Sequence, residues 1–359
     1  MKIVRAEVVP GGGALERPVG NARSGWRARH GLILRVHDEA GGTGQGEASP
    51  LLDYSADDLP AARAALEAFA ARLPGFELEQ PLRAIGDAVG ESAAARFALE
   101  TAVLDLLGQR RGQPLWALLV ANAREVPAAL PLSALVDMGS GAAARQSAEN
   151  ALERGITTLK LKVGRSGEWE SELRIAQTLR AAFGPAVRLR FDANRGFSPS
   201  DAGARLRALA ELDPEFVEEP LDAADLPALG RSKVPLALDE SLLRAELLDA
   251  RLADSGVVAI VLKPMLLGGF SRCIELAARA RRLGLRVVVS HLFDGPIALS
   301  ATAALALAAM HAGDGAAGLA RHAGLSAWQA VELPAFAPAT LLPWSAPGLG
   351  LPLLGGSAA

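Results

Sequence analysis

The chain has 359 residues, half of them apolar, with 40 acidic and 37 basic side chains and a net charge of −3. Such a composition can bury a sizeable core and leaves no basic stripe for a nucleic-acid backbone. A single cysteine, Cys273, excludes an internal disulfide and reads as a small buried residue of a helix in a reducing compartment.

The start, MKIVRAEVVP, lacks the apolar run of a secretory signal. The longest apolar tract, IALSATAALALAAM, is too short to span a bilayer, so a cytoplasmic protein without membrane or nucleic-acid partners is expected. Strands KIVRAEVV and GLILRVHD follow, separated by a Gly- and Arg-rich loop, PVGNARSGWRARHG. The glycines of GGTGQG do not fit a nucleotide-binding fingerprint and predict a tight turn between strands. Apolar spacing predicts helices over 56–73 and 91–111. The first segment is therefore expected to be a small α+β unit.

From about residue 127 short apolar runs alternate with amphipathic helices. The runs are LPLSALV, TTLKLKVG, VRLRFDAN, EFVEEP, PLALDES, VVAIVLKP, LRVVVSH and a weaker GAAGLARH. Alternation of this kind implies parallel pairing, and about eight units imply a closed barrel. Lys162, Asp192, Glu218, Asp239, Lys263 and Ser290 follow one another at steps of 30, 26, 21, 24 and 27 residues, each about one strand-helix unit. Residues at the C-terminal ends of parallel barrel strands share one mouth. In TLKLKV the period of two places Leu159 and Leu161 on one face and Lys160 and Lys162 on the other, towards the interior.

Singly, these residues have structural explanations. Asp192 or Asp239 could cap a turn or helix, and Lys263 could snorkel from the rim. Together, on neighbouring strands, they predict a site. Three carboxylates without histidine or cysteine form a hard-oxygen site suited to Mg²⁺ or Mn²⁺. Only five of the 37 basic residues are lysine. Lysine, unlike arginine, loses its proton near neutral pH when its surroundings disfavour the charge. A dication and a second ammonium would lower the Lys162 pKa and make it a general base.

The order KLK, FDAN, EEP, LDES, LKP resembles the enolase superfamily, in its muconate lactonising subgroup, over nearly the whole chain. The resemblance implies an α/β fold, a (β/α)7β TIM-like barrel (123–322) with an α+β capping domain (1–122) to which a C-terminal segment (323–359) returns. It implies Asp192, Glu218 and Asp239 as Mg²⁺ ligands and Lys162 as acid/base. Lys263 stands on the opposite face, with Lys160 holding the substrate carboxylate. Asn194, His291 and Arg27 complete the substrate-binding candidates. GLILRVHDEAGGTGQGEASPLLDYS and FALETAVLDLLGQRRGQPLW are similar to the o-succinylbenzoate synthase family. That implies a lyase of menaquinone synthesis acting on a small carboxylate, by syn loss of water from a cyclohexadiene carboxylate.

Racemisation of N-acylated amino acids, dipeptide epimerisation and muconate-type cycloisomerisation are the alternatives. AAGLARHAGL lacks the Asp-x-Asp pair that dipeptide epimerases use to hold an ammonium group. SHLFDGP resembles the mandelate racemase subgroup, but Lys263 stands where the partner aspartate of His291 would be, so His291 is expected to contact substrate or serve structure. Segments 19–31 and 51–55 are expected to set specificity, with Arg23, Trp26, Arg27 and Arg29 as contacts for a second carboxylate. Oligomeric state is not legible in the sequence.

Overall fold

The N-terminal strands run further than the sequence predicts. β1 (Lys2–Gly20) and β2 (Gly25–Asp38) form one antiparallel hairpin, so the segment expected as a loop is largely its far end. Gly12, at φ 116°, makes this pairing fit, since a Cβ there would strike the Arg29 carbonyl opposite. β3 (Thr43–Ala48) and β4 (Phe76–Glu77) complete a four-stranded sheet in the order β3-β2-β1-β4. The computed structural model describes residues 2–20, 24–72, 76–120, 126–222, 224–244, 255–310, 333 and 335–354.

Helix α1 (Leu59–Arg72) lies within its predicted range, whereas α2 (Leu82–Asp87) was not expected: six residues with no capping side chain carry too little periodicity to read. α3 (Ala93–Arg111) starts where Ser92 accepts from the Ala95 N–H and ends at Gly112, at φ 62°. It explains GGTGQG. Past Gly42 that segment is strand β3 rather than turn, and a Cβ at Gly44 or Gly46 would collide with the α3 carbonyls of Ala102 or Ala98.

After α4 (Leu115–Leu119), β5 (Leu130–Pro131) pairs with the distant β13 (Thr340–Leu341). The other strands are β6 (Ser133–Leu135), β7 (Thr158–Lys162), β8 (Arg188–Asp192), β9 (Phe216–Glu218), β10 (Leu236–Leu238), β11 (Val257–Leu262) and β12 (Arg286–Val289). They form a seven-stranded parallel sheet in chain order, curled into half of a barrel. All seven lie in predicted runs, and the eighth, GAAGLARH, falls outside the described residues. Helices α5 (Gly141–Glu153), α6 (Trp169–Phe183) and α7 (Pro199–Ala210) alternate with the strands, as do Gly269–Arg282 and Pro296–Ala309. Cys273 is buried in the first of the latter two.

The period of two separates the sheet's faces. Leu159, Leu161, Leu189 and Phe191 join the main core, while Phe216, Ala237, Ala259, Val261 and Val288 form a second cluster. Burial of Leu159 and Leu161 contributes about 1.5 to 3 kcal/mol each and holds the intervening lysines to the opposite face. Among the described residues no helix is long and apolar enough to cross a membrane.

Candidate active site

Parallel register sets the heights of the site residues. β7 places Lys162 beside Asp192 of β8, and β8 places Asp192 beside Glu218 of β9. Asp239 directly follows β10 and Lys263 directly follows β11. All five predicted strand-end groups therefore come together at the C-terminal ends of adjacent strands.

Local devices hold each end. The Glu172 carboxylate on α6 accepts from the Gly164 N–H at 2.6 Å, fixing the turn after Lys162. Glu219, at φ 44°, accepts from the backbone N–H groups of Asp239 and Ser241 at 2.6 and 2.9 Å and from the Ser241 hydroxyl at 2.9 Å. It ties the end of β9 to that of β10. The sequence assigns Glu219 no role. Asn194, at φ 43°, donates to Glu240 Oε1 at 3.0 Å.

The amines lie among the carboxylates. Lys160 Nζ sits 2.8 and 2.9 Å from the Glu218 oxygens and 2.9 Å from Asp192 Oδ2. Lys162 Nζ donates to Asn194 Oδ1 at 3.3 Å and stands 3.8 Å from Asp192 Oδ2. Lys263 Nζ bonds Asp239 Oδ2 directly and donates to the Tyr54 hydroxyl at 2.9 Å, which in turn donates to Asp239 Oδ2 at 3.2 Å.

Burial opposes the charge on Lys160, but Asp192, Glu218 and Asp239 outweigh it and raise its pKa. For Lys162 the balance reverses. Burial lowers its pKa, Asp192 alone does not offset this, and the Lys160 and Lys263 ammonium groups add to the fall. Burial pushes the Asp239 carboxyl up, with Glu240 and Glu218 adding to the effect against the pull of Lys263.

As they stand, no three carboxylates among the described residues surround one point as a metal would require, and amines lie on Asp192, Glu218 and Asp239. The donor chemistry nevertheless fits a hard dication. Every donor is a carboxylate oxygen, and Asp239 Oδ1 and Glu240 Oε2 are buried without a hydrogen-bond partner.

A cleft opens above these groups. Trp26, Leu51, Tyr54, Leu135, Leu292 and Phe293 give it apolar walls, and Ser133, Ser290 and His291 add polar groups beside the three lysines. Among the described members of the proposed contact set, Trp26 alone lines it. Arg27 is exposed on β2 and stands outside the lining residues, and Arg23 lies outside the described residues. Arg29 is buried and donates to the backbone carbonyls of Pro50 at 3.3 Å, Phe293 at 3.2 Å, and Ser49. It fastens cleft walls together rather than reaching for a ligand. Segment 51–55 is expected to set specificity, and its Leu51 and Tyr54 line the cleft; Tyr54 carried a further signal as the chain's single tyrosine.

A curled parallel sheet with Lys, Asp, Glu, Asp and Lys at successive strand ends fits an enolase-type α/β fold. The family described as "Enolase C-terminal domain-like" matches residues 143–354, and the chain belongs to this family of the enolase superfamily. It is 31% identical to the o-succinylbenzoate synthase of Thermosynechococcus vestitus over 300 residues, 80% of this chain and 84% of that protein. It is 29% identical to the L-Ala-D/L-Glu epimerase of Bacillus subtilis over 319 residues, 84% of either chain. The substrate-liganded structure of that epimerase matches with a TM-score of 0.86 at 26% identity, covering 98% of this chain and 99% of the other. A dipeptide epimerase from Methylococcus capsulatus, solved with Mg and a dipeptide, matches with a TM-score of 0.84 at 25% identity, covering 98% and 99%.

Proposed function

We propose that the protein removes the proton alpha to a carboxylate of a small anionic substrate and that the reaction is the dehydration that yields o-succinylbenzoate. The observation that carries this choice is the composition of the cleft. Among its described lining residues Asp192 is the sole carboxylate, set beside three lysines and apolar walls. Such a lining suits a doubly anionic, ring-bearing substrate and offers little to a free ammonium group.

In this mechanism Asp192, Glu218 and Asp239 would hold Mg²⁺, in keeping with the Mg bound by the Methylococcus relative. The chemistry such an ion supplies is neutralisation of the negative charge that builds on the substrate carboxylate. Lys160 Nζ orients that carboxylate. Lys162 Nζ, with its pKa lowered, takes the α-proton. It then returns the proton to the departing hydroxide, so a C–H and a C–O bond break, a C=C bond forms and water leaves. Lys263, on the other side, stabilises the charge between these steps. Incubating purified protein and Mg²⁺ with the succinyl-hydroxycyclohexadiene carboxylate should give the aromatic product. A folded, Mg²⁺-loaded protein that leaves this substrate untouched would remove the dehydration.

A second reading, racemisation of an N-acylated amino acid, is favoured by one observation: Lys162 and Lys263 both line the cleft. Solvent deuterium would then enter the α-position of either enantiomer without elimination.

A further inference from the structure

We propose that Tyr54 is a positioning residue for Lys263, supplied to the barrel site by the N-terminal segment. This rests on Lys263 working in the reaction proposed above.

The two candidate catalytic lysines are held by different means. Lys162 has an amide oxygen, Asn194 Oδ1, and the Phe293 ring 5.9 Å away, both contributed by segments that follow barrel strands. Lys263 has the Tyr54 hydroxyl at 2.9 Å and the Tyr54 ring centroid at 5.1 Å. A phenol can accept from an ammonium while donating its own proton, here to Asp239 Oδ2 at 3.2 Å. The hydroxyl thus sits between amine and carboxylate and gives Lys263 a second partner besides Asp239. The hydroxyl's paired hydrogen bonds hold the ammonium in place beside Asp239.

The loop carrying Tyr54 is itself fixed. Trp26 Nε1 donates to the Leu52 carbonyl at 3.0 Å, the Arg29 guanidinium grips the carbonyls of Ser49 and Pro50, and the Tyr54 N–H bonds the Leu51 carbonyl at 3.1 Å. Asp53 at φ 60° turns the chain so that the next side chain points into the cleft. Tyr54 acts on one lysine of the pair, so its loss should weaken Lys263 without reaching Lys162.

The single tyrosine makes the contact directly observable. In Mg²⁺-loaded protein labelled with ¹³Cζ-tyrosine, the one resonance should shift in Lys263→Met and stay in place in Lys162→Met. A resonance that moves in neither variant, or equally in both, overturns the proposal. In activity, Tyr54→Phe keeps the ring and should lower kcat about tenfold with KM within about twofold, as expected for one lost hydrogen bond to a charged group. An unchanged kcat also overturns it. If wild-type protein fails to dehydrate the cyclohexadiene substrate while the resonance still follows Lys263, the dehydration falls and the positioning contact stands.

Discussion

Two charged clusters occupy the same curled sheet, and they use different cations. Towards the N-terminal ends of the strands, Arg190 donates to both oxygens of Glu215 at 2.7 and 3.2 Å, and Arg286 adds a third bond at 3.1 Å. The Arg190 guanidinium lies 4.8 Å from the Phe216 ring centroid. Burial opposes ionisation of Glu215, but the arginines outweigh it and hold the carboxyl below its usual range. Both carboxylate oxygens are satisfied by planar forks that keep their charge at any working pH. At the C-terminal ends the cations are lysines, three amines face three strand-end carboxylates, and Asp239 Oδ1 is left over. One cluster is closed and permanent; the other has spare acceptors and an amine of lowered pKa, the conditions that chemistry needs.

Removing divalent ions should produce the largest contrast. Dialysis against a chelator is expected to abolish turnover, with Mg²⁺ or Mn²⁺ restoring it, while the arginine cluster keeps the fold intact by circular dichroism. Full turnover in chelated protein would show that the three carboxylates serve another end. Next, Lys162→Ala should cost about 10² to 10⁴ in kcat, the range of a general base, with the melting temperature little changed. A substitution that left kcat within a few-fold would move the base elsewhere.

These strand-end groups were legible because parallel strands paired in chain order convert a repeating interval in the chain into neighbouring positions at one end of the curled sheet. Lys160 and Lys162 stood out for a second reason: in a chain that favours arginine, two alternate lysines in an apolar strand need an explanation. Less legible were contacts crossing between distant segments. Tyr54 meets Lys263 across 209 positions and Arg29 meets Phe293 across 264, and no local period encodes either. Arginine in a predicted loop suggested a ligand contact, yet the hairpin extends through that segment and turns Arg29 onto backbone carbonyls. The same blindness applied to GGTGQG, whose glycines answer to a helix about 55 residues further on.

The lower cluster is tested through stability. Glu215→Ala would leave the buried Arg190 guanidinium without its counter-charge, at a cost of about 3 to 5 kcal/mol in denaturant unfolding. The kcat of the remaining folded protein should stay near wild type, since the hydrogen bonds of the Glu215 carboxylate run to Arg190 and Arg286 and not to the described residues at the mouth. A variant of normal stability and reduced kcat would invert the division of labour between the two ends.

Glu100 offers the smallest and most selective test, because it is a buried carboxylate belonging to neither cluster. On α3 it accepts from the backbone N–H groups of Phe270 and Ser271 and from the Ser271 hydroxyl, joining α3 to the start of the helix Gly269–Arg282. Burial pushes its pKa up from 4.5 to about 7, more than these bonds and Arg96 pull it down. The folded state therefore holds this proton more tightly than the unfolded chain does. That stabilisation is fully present below about pH 4.5 and is lost as pH rises to about 7, in total about 3 kcal/mol at most. Glu100→Gln, which cannot ionise, should flatten this part of the stability profile while leaving the pH dependence of kcat to the lysines at the mouth. Chemical denaturation at intervals across that window checks the slope. An identical slope in wild type and variant would mean that the three donors hold Glu100 ionised, making it a closed site like Glu215.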